Sequence, residues 1–168
     1  NPRKSLAIMA ARFYQNQPQF IAAVTGTNGK SSVADFTRQI WINSNYKAAS
    51  IGTLGLIQTD QIRDLQHTTP DPIELHKTLA ELSKQDTNRV IIEASSHGLD
   101  QYRLDGADII AAAHLNITHD HLDYHLDISK YLDAKAGLFS RVLSKNGTAV
   151  LNADDSAYDY FQKICSKR

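Results

Sequence analysis

The stretch Val24–Val33, VTGTNGKSSV, joins an apolar run, Phe20–Val24, to a segment with helical apolar spacing, Ser31–Asn45. A turn at such a junction aims successive backbone N–H groups and a helix N-terminus at one point, and glycine lets the backbone approach an anion there. Lys30 and the Ser31 hydroxyl stand where a phosphate loop carries its charge-neutralising lysine and its metal-binding hydroxyl. The spacing is short. The general pattern sets four residues between its first glycine and Gly-Lys, whereas Gly26 and Gly29 enclose only Thr27 and Asn28. On the residues alone, a glycine turn with a solvated Lys30 stands beside a nucleotide loop, and the flanking strand and amphipathic helix favour the loop.

Working outward, the runs Lys47–Ile51, Arg89–Glu93, Ala107–Asn116 and Thr148–Asn152 have the length and apolar content of buried strands. Helical spacing marks Pro72–Lys84, Ile128–Leu143 and Asp155–Ile164, with an extra helix over Ser5–Tyr14. This alternation predicts an α/β fold, a mostly parallel sheet flanked by helices. In such sheets ligands gather at the carboxyl ends of strands. Three polar clusters fall there: Gly26–Ser32, Glu93–His97 and Asn116–His121. They are expected to converge on one crevice.

The length, 168 residues, suits one domain, or one domain plus a fragment. Lys+Arg and Asp+Glu are both 18, so no basic excess points to nucleic acid or an anionic membrane. No apolar run approaches the roughly 20 residues that span a bilayer, so no membrane insertion is expected. Cys165 is the only cysteine, which fits a reducing compartment and makes the cytoplasm the default. Met9 and Trp41 carry no motif and read as core or interface residues. The chain begins without Met and ends directly after an expected helix, which suggests a piece of something longer.

Glu93 closes the run RVIIE, where a carboxylate is costly unless it meets a partner or the sheet edge. An acidic group there suits a magnesium ion beside a phosphate loop, and an ordinary strand end suits it equally. The segment His119–His125 packs three histidines and two aspartates into HDHLDYH. It nearly matches the His-x-His-x-Asp-His pattern of zinc hydrolases, but Tyr124 stands where the last histidine belongs. The other reading is a loop in which one imidazole meets a metal while its neighbours order the turn. Lys135 has the form of a solvated helix lysine, yet Leu138 and Phe139 at three- and four-residue spacing put it on an apolar face.

Taken together, the short loop VTGTNGKSS resembles that of the Mur ligase superfamily, the ATP-dependent amide-forming enzymes that include the peptidoglycan ligases and folylpolyglutamate synthase. Similar motifs follow in the same order: TTPDP (68–72), EASSHGLDQYR (93–103), NITHDHLDYH (116–125), YLDAKAGLF (131–139) and LNADD (151–155). They are most similar to the branch that adds the third residue to UDP-MurNAc-L-Ala-D-Glu, with a folylpolyglutamate synthase-like ligase as the near alternative. A zinc hydrolase and a nucleotide-binding module without chemistry are the readings from other classes.

The resemblance implies a P-loop NTPase-like central domain that binds ATP and Mg²⁺. It assigns Gly26, Thr27, Asn28, Gly29, Lys30, Ser31, Ser32 and Asn116 to the nucleotide, with Lys30 on the phosphates. Ser31, Glu93, His121 and Lys135 take the metal-site positions, and Lys30, Glu93, His121 and Lys135 the catalytic ones. Lys135 matches the lysine that the family carbamylates; a carbamate offers magnesium the anionic oxygens an ammonium lacks. Thr68, Thr69, Ser95, Gln101 and Arg103 match contacts to UDP-MurNAc-L-Ala-D-Glu, and an amino acid is the second partner. The resemblance covers only a central domain, which is expected to be truncated at the C-terminus. N-terminal UDP-binding and C-terminal amino-acid-binding domains are expected to be absent, and the chain alone is expected to make no product. Neither the amino acid nor the oligomeric state is legible.

Overall fold

The computed structural model describes residues 1–118 and 127–167. The chain runs α1 (Pro2–Tyr14), β1 (Phe20–Thr25), α2 (Lys30–Asn43), β2 (Ala48–Gly52), β3 (Gly55–Ile57), β4 (Ile62–Arg63) and α3 (Pro72–Lys84). It continues through β5 (Arg89–Glu93), α4 (Ser96–Asp100), β6 (Ile109–His114), α5 (Ile128–Gly137), a π-helical turn (Leu138–Val142), β7 (Leu143–Leu151) and α6 (Tyr158–Cys165). Helix starts follow capping chemistry. The Asp71 side chain accepts from the N–H groups of Ile73 and Glu74 ahead of Pro72, and Asp127 accepts from Lys130 N–H.

The seven strands form one sheet in the order β4-β3-β2-β5-β1-β6-β7. β2, β5, β1, β6 and β7 are parallel, and β3 and β4 extend the β2 edge antiparallel. The mostly parallel α/β expectation is borne out. Alternate residues of β1 explain why its run is apolar throughout. Ile21 and Ala23 join Val90, Ile92, Leu75, Leu79 and Phe139 in the larger core layer, while Ala22 and Val24 pack with Ile91 and Ala34 of α2 in the smaller one. A strand covered on both faces has no polar side to display.

Three features depart from the sequence expectation. The helix expected over Ile128–Leu143 ends as an α-helix at Gly137 and widens into the π-helical turn. Leu143 then opens β7, not the end of a helix. Its pairing jumps from Ile109↔Leu143 to Ala111↔Thr148, so the polar Ser144–Gly147 segment bulges between two paired stretches. Met9 is 67% exposed and belongs to no core layer, whereas Trp41 packs edge-on against Phe20. Among the described residues, no helix is long and apolar enough to cross a membrane.

Candidate active site

β1 lies between β5 and β6 and parallel to both, so the loops leaving their carboxyl ends open on the same edge. The chain also moves from β1 out to β2, returns through β5 and crosses to β6, which makes this edge the switch point of the sheet. The expected convergence is observed for the loop with Glu93 and with Asn116–Thr118.

Gly29 takes φ 83°, a left-handed conformation that suits glycine, and α2 begins at the next residue with no side-chain cap. The first-turn N–H groups of a helix have no intrahelical acceptor, so an uncapped start of this kind is suited to an anion. Lys30 Nζ folds back over the loop, donating to Gly26 O at 3.0 Å and Thr27 O at 2.9 Å. Asn116 fixes the loop from β6's side: its Oδ1 accepts from Asn28 N–H at 2.9 Å, its Nδ2 donates to Asn28 O at 3.2 Å, and its carbonyl accepts from Thr27 N–H at 2.9 Å. Thr27 is buried; its Oγ1 lies 3.1 Å from Tyr131 OH and accepts from Thr118 N–H at 3.0 Å. Ser32 is exposed on the first turn of α2.

Glu93 is only 2% exposed. A buried carboxylate without partners costs several kcal/mol, and three donors offset that here. Oε2 accepts from Ser31 Oγ at 2.9 Å and Thr53 Oγ1 at 3.3 Å, and Oε1 from Thr53 N–H at 2.9 Å. The residues expected to hold the muramoyl dipeptide lie beside it or one contact further on. Thr68 Oγ1 lies 3.1 Å from Thr53 Oγ1, and Thr69 Oγ1 donates to Glu93 O at 2.7 Å and accepts from Ser95 N–H at 2.9 Å. Ser95 also caps α4 through Gly98 N–H at 3.0 Å. Arg103 donates to Thr69 O at 2.7 Å and to Gln101 Oε1 at 2.8 Å. One ladder of polar contacts therefore runs from the loop through Glu93 to Arg103.

Lys135 is 1% exposed, more deeply buried than a residue on the margin of an apolar face. Its Nζ donates to Gly26 O at 2.7 Å and sits 4.5 Å from the Tyr131 ring centroid, a cation–π contact. Two lysines thus converge on the Gly26 carbonyl. His121, and with it the histidine-rich segment 119–125 behind the zinc reading, lies outside the described residues. Ser31 and Glu93 are hard oxygen donors 2.9 Å apart beside the loop, a pair that fits Mg²⁺.

Sequence reasoning missed Thr53, Tyr131, Thr118 and Asp155. Each meets the site at a sequence separation of 38 or more, as in Thr53–Glu93, Tyr131–Thr27 and Asp155–Ile117. Thr118, Tyr131 and Asp155 lie within the quoted motifs, but nothing local to those motifs gave them these contacts.

The Mur ligase middle domain family matches residues 24–168 of this sequence. The chain belongs to the Mur ligase family. It is 51% identical over 155 residues to the UDP-N-acetylmuramoyl-L-alanyl-D-glutamate–2,6-diaminopimelate ligase of Brucella melitensis, covering 92% of this chain and 32% of that protein. The protein of the same name from Zymomonas mobilis is 52% identical over 157 residues, 94% of this chain and 32% of its own length. A solved structure of a ligase of that name superposes with a TM-score of 0.89 at 34% identity, covering 99% of this chain and 34% of that one. E. coli FolC in complex with ADP superposes with a TM-score of 0.73 at 17% identity, covering 97% of this Mur ligase chain and 44% of the FolC chain, a likeness of fold. The chain spans about a third of the length of the curated relatives it matches.

Proposed function

We propose that this chain is the ATP-binding middle domain of a ligase that joins UDP-N-acetylmuramoyl-L-alanyl-D-glutamate to 2,6-diaminopimelate. The observation that carries the proposal is the contact of Ser31 with the buried Glu93 beside an uncapped helix start and Lys30, on a family frame whose relatives bear that name. The lone cysteine and the use of ATP fit the cytoplasm.

In this reading the α2 N-terminus and Lys30 bind the ATP phosphates, with the Lys30 ammonium turning from the Gly26 and Thr27 carbonyls to the transferring group. Ser31 and Glu93 would hold Mg²⁺, joined by His121 and, once carbamylated, Lys135; the metal supplies charge neutralisation at the phosphates. Asn116 keeps the loop in its phosphate-accepting shape. Thr68, Thr69, Ser95, Gln101 and Arg103 orient the muramoyl dipeptide so that its free glutamate carboxylate faces the γ-phosphorus. Attack by a carboxylate oxygen forms the P–O bond and releases ADP, giving an acyl phosphate. The amino group of diaminopimelate adds to the activated carbonyl, loses a proton, and expels inorganic phosphate as the amide forms. The family's flanking domains would supply the UDP and amino-acid contacts, so the chain alone turns nothing over.

The test is steady-state turnover of the full-length enzyme. ADP release is expected only with both the dipeptide substrate and diaminopimelate present. ADP release that needs neither, or that needs a folate in place of the muramoyl substrate, would contradict the proposal.

A further inference from the structure

Of the motif LNADD at 151–155, only the Asp155–Ile117 contact has been described, and the whole turn grips the strand end that carries Asn116. Asn152 N–H donates to His114 O at 3.2 Å, and its Nδ2 donates to Leu115 O at 2.8 Å. Asp155 spans the other side: Oδ2 accepts from Ile117 N–H at 2.9 Å, and Oδ1 lies 3.1 Å from His114 Nε2 and accepts from Ala157 N–H at 3.0 Å. An ionised carboxylate only accepts, so His114 presents Nε2–H to it. Burial pushes His114 below the usual imidazole range and keeps the ring neutral. Burial alone would raise the Asp155 carboxyl, but the hydrogen bonds from Ile117 N–H, His114 and Ala157 N–H outweigh it and hold the group below its usual range. The His114 ring stacks on Phe161 of α6 with centroids 3.9 Å apart, which fixes its plane.

Residues on both sides of Asn116 are therefore tied to one turn, and Asn116 in turn holds Thr27 and Asn28. We infer that Asp155, assisted by Asn152, is a positioning residue for the nucleotide loop, acting through the His114–Ile117 backbone on Asn116. The inference rests on the ATP-site reading above. Side chains that orient a ligand-bearing residue are commonly worth about 10- to 100-fold in affinity or activity, and the strut's single relay through Asn116 places it at the lower end.

The experiment compares full-length enzymes carrying Asp155→Asn, Asn116→Ala and both, reading KM for ATP against KM for the muramoyl dipeptide. Asp155→Asn is expected to raise KM for ATP about tenfold and to leave the dipeptide KM unchanged. The double variant is expected to be no weaker for ATP than Asn116→Ala alone, because both changes cut the same path. Additive losses, equal rises in both KM values, or an unchanged KM for ATP would overturn the inference. Should Asp155→Asn fail to fold, Asn152→Ala at its exposed position serves in its place, with a smaller rise in ATP KM expected and no change overturning the inference. Lys30→Ala separates the two levels. If it leaves ATP affinity intact, the site reading itself fails; if it abolishes ATP affinity while Asp155→Asn does nothing, only the strut fails.

Discussion

Glu93, Lys135 and His76 are all buried, and each is accommodated differently. Glu93 meets three donors, and Lys135 places its Nζ between the Gly26 carbonyl and the Tyr131 ring. Among the described residues His76 has the Asp105 carbonyl, 3.0 Å from Nε2, and no hydrogen-bond partner for its buried Nδ1. Burial pushes its pKa down to about 4. A folded-state pKa below the unfolded one favours the unfolded chain as protons bind it first. The stability held above the ordinary imidazole pKa is thus lost as pH falls through the window down to about 4. Between about pH 7.5 and about pH 5 this amounts to about 2 kcal/mol. Urea unfolding at the two pH values is expected to show wild type losing about that much more stability than His76→Gln. Parallel losses would contradict the assignment.

At the scale of elements, legibility followed length and local chemistry. Pro72–Lys84 and Arg89–Glu93 carry their own boundaries, an Asp-Pro cap in one and an apolar run closed by a carboxylate in the other. β3, β4 and α4 span three, two and five residues, too short for any period to show. The β7 bulge is set by its pairing with β6, not by local spacing. The junction of β2 with β5 gives an element-scale prediction. A Cβ on Gly52, at the end of β2, would overlap the Glu93 carboxylate at the end of β5. Gly52→Ala is expected to cost about 1–3 kcal/mol of stability and to break the Ser31–Glu93 contact. Unfolding and Mg-ATP titration check both, and a variant with wild-type values in each would show that the strand ends are not so closely matched.

Across the whole molecule, the parallel sheet brings polar groups far apart in sequence to one edge. The loop, Glu93 and Asn116 could be singled out because each ends an apolar run, and the strand order then set them side by side. Thr53 could not, since a threonine after a strand is an ordinary residue until the fold delivers it to Glu93, and Asp155 stood out only as part of LNADD, with no contact to Ile117 legible. The central claim is that the short loop is a phosphate site organised around Lys30. It is tested most directly by calorimetric titration of Mg-ATP into this chain and its Lys30→Ala variant, both first shown to be folded by circular dichroism. Binding by wild type that is lost or strongly weakened in Lys30→Ala is the predicted result; equal binding by both, or binding by neither, would contradict it.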